Sequence, residues 1–316
     1  SKTQQSILPP HPFDLTTLQT EAYRFFRITP SRTLEIAQKL YLAGVISYPR
    51  TSSQKILEAI QPKKILEQLS KTFPFIKENV TRKNPVEGEK DDPAHPSIYP
   101  TGESTEVFEE EKKIYELIVK RFVSCFCSDA IIDRKQLTVK VNDLKFTAHG
   151  AQIKQKGWMK VYDSGLKEKE LSDMNGEVMI NESRIEEKET QPPKRYSPAS
   201  LVAELTKRNL GTKSTRAAVV ETLYSRSYIK EQSIQATPLG LQIILALKKH
   251  SSVIIDEELT RYFEKEMDSI QNLKSHQFEK EEQIINEAKK SIKKMTEEFK
   301  AKEKEIGKGL IQANTE

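Results

Sequence analysis

Near the start of the chain the apolar side chains recur at helical rather than strand spacing. Leu15, Leu18, Ala22, Phe25 and Phe26 share one face behind Asp14, which predicts a helix capped by that aspartate. Thr29-Pro30, a cap followed by a first-turn proline, opens a second helix with Leu34, Ala37, Leu40 and Tyr41 on one face, and Gly44 stops it. The pair resembles a helix-turn-helix unit with Tyr48 at its exposed exit. Residues 56–72 are predicted helical, and 81–110 a polar, acidic, proline-bearing loop. Ile114, Leu117, Ile118, Phe122 and Phe126 mark a further helix with a buried face.

From Ile131 the period changes to two. Leu137, Val139 and Val141 alternate, Asn142-Asp143 offers a turn, and Leu144, Phe146 and Ala148 resume, which predicts a β-hairpin. A strand is also predicted around Trp158–Tyr162, and a hairpin turn at Asn175-Gly176 leading into Val178 and Ile180. Pro192-Pro193 ends the β segment. Ser197-Pro198 starts a helix through Leu201, Val202 and Leu205, Gly211 breaks it, and Ser214 or Thr215 starts another with Ala218, Val219 and Leu223. After Pro238-Leu239-Gly240 the chain reads as helical to its lysine- and glutamate-rich end, about 279–308, a solvated surface helix.

Composition narrows the class. The chain has 316 residues, 36% hydrophobic and 31% charged, enough for two or three cored domains. It has neither an apolar run long enough to span a bilayer nor a secretory leader, so an intracellular, cytoplasmic protein without membrane partners is expected. Cys125 and Cys127, close together in what reads as a helix, form neither a disulfide framework nor a zinc ribbon and are expected as reduced core residues. The chain opens on Ser1, and "SKTQQSILPPHPFDL" reads as a linker entering a domain, so a fragment is expected.

The formal net charge of +5 is unevenly spread. Between Arg24 and Lys55 six basic residues face one acid, Glu35; between Gln191 and Lys230 eight face Glu204 and Glu221. Two separated basic blocks point to a polyanion lying between two parts of the fold.

The first block contains "GVISYPRTS". A phenol with a pKa near 10 is a poor nucleophile unless positive charge favours its phenolate. Arg50 is placed to supply that charge, and its fork of donors matches the non-bridging oxygens of a phosphodiester. Pro49 stiffens the backbone between them. "AHPSIYPTG" adds His95, an imidazole able to bond a phosphate or a leaving oxygen. "LGTKSTRAAVVETLYSRSYI" adds a helix start with Ser214 and Thr215 between Lys213 and Arg216, a phosphate-binding arrangement.

In this order the segments "PPHPFDLTTLQTEAYR", "GVISYPRTS", "AHPSIYPTG", "PPKRYSPASLVAEL", "LGTKSTRAAVVETLYSRSYI" and "LTRYFEKEMDSI" resemble the type IA DNA topoisomerases, most of all the archaeal topoisomerase I group. The resemblance covers nearly the whole chain. It implies that Tyr48 attacks one strand of single-stranded DNA, forms a 5′-phosphotyrosyl link and frees a 3′-hydroxyl. Another strand then passes, and the 3′-hydroxyl reverses the step, relaxing negatively supercoiled DNA without ATP. It further implies that Arg50 stabilises the scissile phosphate and His95 supports it. Lys213, Ser214, Thr215 and Arg216 would line a DNA groove, with Arg195 and Arg226 as further candidates.

Two departures from the bacterial pattern bear on this. Ser52 stands where many bacterial members have an acid, and Thr212-Lys213 where they often have Arg-Pro. The family's magnesium is held by an amino-terminal Toprim domain with a glutamate, a lysine and an Asp-x-Asp cluster, which the resemblance places before Ser1, in the same enzyme or a separate subunit. Asp91-Asp92 is not that cluster and is expected to be solvent-exposed, so no metal site is expected in this chain.

The implied architecture is a mixed α and β, multidomain piece of the family's toroid. Residues 14–127 would form a helical tyrosine (gate) domain, 1–13 with 128–190 a β-rich arch, 191–302 a helical base binding single-stranded DNA, and 303–316 a tail. Association with the chromosome follows from the same resemblance. Two other readings stay open: a single-stranded-DNA-binding module that cleaves nothing, and the topoisomerase half of a reverse gyrase. No P-loop is present in the chain.

Overall fold

The computed structural model describes residues 1–92, 94–103, 106, 109–271 and 277–313. It mixes helix and sheet and divides into two compact units, Ser1–Leu18 with Leu34–Pro193, and Gln19–Thr33 with Lys194–Glu316.

In the first unit β1 (Lys2–Ile7), β2 (Ala130–Val141) and β3 (Leu144–Gln155) form an antiparallel sheet in that order. Pairing runs from Lys2↔Lys135 to Ile7↔Ala130 and from Ile131↔Gln155 to Val141↔Leu144. The strand at residues 2–7 replaces the expected linker. Its residues are exposed on both faces except for partial cover at Ile7, so it carries no apolar alternation to betray it; pairing with β2 makes it a strand. The turn at Asn142-Asp143 forms where predicted, with Asn142 at φ 54°.

Helix α1 (Leu15–Phe26) begins after Asp14, whose Oδ1 accepts the Thr17 N–H at 2.7 Å, as its capping role requires. Helix α2 spans Pro30–Leu42. In place of one helix over 56–72 there is a short 3₁₀ turn, Glu58–Ile60, then α3 (Pro62–Leu69), because Gln61 at φ 56° breaks the run before Pro62. Helix α4 (Phe75–Asn79) follows, and α5 (Glu109–Ser124) buries Ile114, Leu117, Ile118 and Phe122.

The core of this unit gathers Phe13, Leu15, Leu18, Ile36, Leu40, Ile46, Ile98, Phe122, Phe126 and Ile132, all fully buried. Cys125 and Cys127 sit just beyond the end of α5 and not inside a helix; burial pushes their thiols up to about 12 and about 11. Both are free and buried, and the raised values leave little thiolate at neutral pH.

Two strand predictions fail here. Residues 157–160 form a 3₁₀ turn, not a strand, because Trp158 turns into the core and its indole N–H donates to the Ile7 carbonyl at 3.0 Å. Gly157, at φ 49°, lies so close to the Asp129 backbone that an added Cβ would fall 2.1 Å from its carbonyl oxygen. Beyond Asn175-Gly176 no strand forms. Gly176 does adopt a turn conformation, φ 87°, but Met179, Ile180 and Ile185 stay exposed, with no partner strand to pair against.

The second unit holds α6 (Pro198–Lys207), α7 (Arg216–Ser225), a short hairpin of β4 (Ile229–Lys230) and β5 (Gln235–Ala236), then α8 (Pro238–His250), α9 (Glu257–Gln271) and α10 (Gln277–Ala313). Ser197 and Ser200 form a reciprocal capping box that starts α6. The polar helix expected at 279–308 is α10, which runs on through 303–313 of the expected tail; residues 314–316 lie outside those described.

Candidate active site

The Tyr48 turn is built from backbone bonds that reach far along the sequence. After α2, Gly44 takes φ 76° and the Gly44 and Val45 N–H groups return to the Tyr41 and Leu40 carbonyls at 2.9 and 3.1 Å. Val45 and Ile46 then enter the core, and the segment lies antiparallel to residues 97–101. Ser47 N–H donates to the Tyr99 carbonyl at 2.9 Å and Thr101 N–H to Val45 at 3.0 Å. The Ser47 hydroxyl donates to the Ser97 carbonyl and accepts the Tyr99 N–H, each at 3.0 Å.

On the other side of Tyr48 the chain is held again. Leu15 N–H donates to the Thr51 carbonyl at 3.0 Å, and the Thr51 hydroxyl donates to the His95 carbonyl at 3.2 Å. Ser52 gives both its N–H and its hydroxyl to Asp92 Oδ2, at 3.3 and 3.2 Å, while Asp92 Oδ1 accepts the Ala94 N–H at 3.1 Å. Residues 48–50 are thus bracketed by fixed points on two segments of the chain. Preorganisation of this kind places a side chain without further ordering cost when a ligand arrives.

The half-buried Tyr48 ring packs against both Tyr41 and His95. Its centroid lies 5.3 Å from the Tyr41 ring, edge to face, and 4.7 Å from the His95 imidazole. Pro49 is buried and Arg50 is half-buried. Among the described residues, no hydrogen bond or ion pair engages the Tyr48 hydroxyl, the Arg50 guanidinium or the His95 imidazole nitrogens. The polar groups of Tyr48 and Arg50 on the turn, and of His95 on the segment beside it, are partly exposed to solvent.

Sequence reasoning missed the anchors. The hydroxyls after Arg50 hold the loop: Thr51 Oγ1 accepts the Ser53 N–H at 3.0 Å, and Ser53, fully buried, accepts the Lys55 N–H at 3.1 Å. Of the pair expected to be exposed, Asp91 is exposed but Asp92 is only 8% exposed, because Ser52 and Ala94 present three donors to it. Tyr41, expected on a core-facing helix stripe, is instead 39% exposed and packs on Tyr48. No local signal marks either role. The described residues contain no group of three or more His, Cys, Asp or Glu arranged to hold a metal ion, and the Asp92 carboxylate is already engaged.

The second unit carries the other candidates. Gly211, at φ 64°, leads into a turn in which Thr215 Oγ1 accepts the Thr212 N–H at 2.9 Å and the Thr215 and Arg216 N–H groups donate to the Thr212 carbonyl at 3.1 and 3.2 Å. The Arg216 Nε donates to the Leu210 carbonyl at 2.9 Å. Lys213, Ser214, Thr215 and Arg216 are thereby brought together at the start of α7. Arg226 caps the opposite end of that ten-residue helix, about 15 Å away at helical rise, and Arg195 lies exposed before α6.

The chain matches the DNA topoisomerase family profile over residues 1–282. It is 42% identical over 317 residues to DNA topoisomerase 1 of Pyrococcus horikoshii, covering 96% of this chain and 46% of that protein. DNA topoisomerase 1 of Methanothermobacter thermautotrophicus is 41% identical over 312 residues, covering 96% and 43%. The solved structure of full-length topoisomerase I from Thermotoga maritima superposes with a TM-score of 0.74 at 25% identity, over 95% of this chain and 51% of that one. The chain spans about half the length of the curated relatives it matches. A tyrosine turn with its polar groups left open, on a fold shared with a topoisomerase and a sequence shared with archaeal ones, has one family assignment: this chain belongs to the type I DNA topoisomerases.

Proposed function

We propose that Tyr48 is the nucleophile of a type IA strand-cleavage reaction on DNA, chiefly single-stranded. The Tyr48 oxygen attacks a backbone phosphorus and the bond from phosphorus to the 3′-oxygen breaks. The products are a 5′-phosphotyrosyl ester and a 3′-hydroxyl, which takes up the proton the phenol gives away. One ester replaces another, so religation by the 3′-hydroxyl after strand passage needs no ATP. Arg50 stabilises the charge growing on the non-bridging oxygens, and His95, in contact with the Tyr48 ring, bonds the phosphate or the leaving oxygen.

The observation that carries this reading is the bracketed turn, with Tyr48 packed on His95 and no hydrogen bond or ion pair among the described residues engaging the polar groups of Tyr48, Arg50 or His95. Residues 14–127 serve as the gate, 1–13 with 128–190 as the arch and 191–302 as the DNA-binding base, with Lys213–Arg216 as the principal groove contacts and Arg195 and Arg226 as lesser ones. Magnesium belongs to Toprim-type carboxylates outside these residues, and the protein works on the chromosome in the cytoplasm.

The test is covalent capture in the full-length protein. With 3′-labelled single-stranded DNA and a denaturing quench, the parent carries label and Tyr48→Phe carries none, while both bind the DNA with similar affinity. Label on the Phe variant would assign the nucleophile elsewhere.

A further inference from the structure

The basic residues of the sheet were invisible in a count along the chain, because they alternate with apolar ones and lie on different strands. Register brings them together. Directly opposed residues of an antiparallel pair share a face, as do residues two apart on one strand. Arg134 pairs with Ala151, Gln136 with His149, Thr138 with Thr147 and Lys140 with Lys145, and Thr3 of β1 pairs with Arg134. One face of the β2–β3 hairpin therefore carries Arg134, Lys140, Lys145 and His149 among neutral polar residues, with no carboxylate. Leu137, Val139, Leu144 and Phe146 occupy the other face.

At the root of the hairpin this face deepens into a hollow of about 550 Å³ lined by Arg134, His149, Lys167 and Lys169, with Lys135 of the opposite face at its edge and no acid in the lining. The Lys169 backbone is fixed there by a reciprocal pair of 2.9 Å bonds with Ala151. Lys135 is the one cation already engaged, by Asp173 and by the Leu171 carbonyl. Among the described residues Arg134, His149, Lys167 and Lys169 have no ion-pair partner. Of the two acids that flank Lys169 in sequence, Glu168 accepts the Ile153 N–H at 2.7 Å, and Glu170 lines the adjoining hollow with Lys169. From Arg134 to Lys140 the cationic face runs roughly 20 Å at strand rise, the length of several backbone phosphates.

We propose that this face of β2–β3, with Lys167 and Lys169, is a second nucleic-acid surface that binds the phosphodiester backbone of DNA independently of sequence. The ligand class follows from the chemistry. Unpaired cations spread along a ribbon match an extended, regularly charged polyanion, and the hollow is lined by more cations than amides, Gln136 being the side-chain amide there. The proposal rests on the DNA reading of this chain but not on the Tyr48 chemistry.

The experiment measures fluorescence anisotropy of labelled 20-nucleotide single strands and 20-base-pair duplexes with the 316-residue chain across a salt series. The triple variant Arg134→Ala/Lys167→Ala/Lys169→Ala is expected to lower the slope of log affinity against log salt by about 2 to 3. Lys140→Ala/Lys145→Ala, at the exposed end of the same face and harmless to folding, should lower it by about 1 to 2. Loss in either arm supports the surface, and the arm that loses more identifies the form of DNA it holds. A parental slope in both variants, with circular dichroism unchanged, overturns it. If the parent chain itself fails to bind either DNA at low salt, the DNA reading falls with it; if the parent binds and only the variants are indifferent, the surface assignment alone falls.

Discussion

The Tyr48 turn and the Lys213–Arg216 turn are both short, hydroxyl-rich and flanked by cations, yet they are held in opposite ways. Around Tyr48 the fixing bonds come from Asp92, Ser97, Tyr99 and Leu15, tens of residues distant, and the chemical groups are left open. Around Lys213 bonds run locally, between Thr212 and Thr215 and from Arg216 to Leu210, and they engage the Thr215 hydroxyl and the Arg216 Nε. Tertiary bracketing gives the precision that bond-making needs, whereas a self-contained turn suffices to present charge. Under the proposed function, damage to the first turn should remove chemistry and damage to the second should only loosen binding.

The largest effect short of the nucleophile itself belongs to Arg50. Arg50→Ala should slow single-turnover cleavage in the full-length protein by a factor on the order of 10² to 10³, the scale of losing one donor to a developing oxyanion. DNA affinity should change far less. An affinity loss matching the rate loss would erase the contrast between the turns, because Arg50 would then be a binding residue like Lys213.

Asp92 touches no reacting atom in this reading and acts by positioning. Asp92→Ala removes the acceptor of the Ser52 N–H and hydroxyl, so the segment after Arg50 loses a fixed point. Cleavage should fall by about 10-fold to 100-fold, as for small misplacements of a reacting group. Asp92→Asn keeps an acceptor oxygen there and should recover most of that rate, with KM for DNA steady in both. Equal rates for the two variants and the parent would show that the bracket does not govern the chemistry.

What the sequence revealed and concealed follows the same line between local and distant causes. The helices bounding Tyr48 were legible because Asp14, Pro30 and Gly44 act within a turn of themselves, and the hairpin because Asn142-Asp143 does the same. Tyr48, Arg50 and His95 were legible as chemistry but not as neighbours, since contact between Tyr48 and His95 rests on pairing of residues 46 and 100. The burial of Asp92, the turn at Trp158 and the cationic face of the hairpin depend on partners far along the chain. Periodicity and charge counts do not register such partners. Strand β1 escaped for the complementary reason: an edge strand exposed on both faces needs no apolar pattern.

The smallest effect sharpens the comparison from the side of the second turn. Lys213 stands partly exposed between Thr212 and Ser214, on a turn where the Thr212, Thr215 and Arg216 backbones and the Thr215 hydroxyl make hydrogen bonds. Lys213→Ala is expected to keep those bonds and subtract one cation. The salt slope for single-stranded DNA should drop by about 0.7, affinity should weaken most at low salt, and cleavage of saturating DNA should proceed at the parental rate. A fall in the cleavage rate at saturation would mean that this turn, too, positions the reacting phosphate. The local and the bracketed turns would then be two parts of one catalytic apparatus, not a binding element and a chemical one.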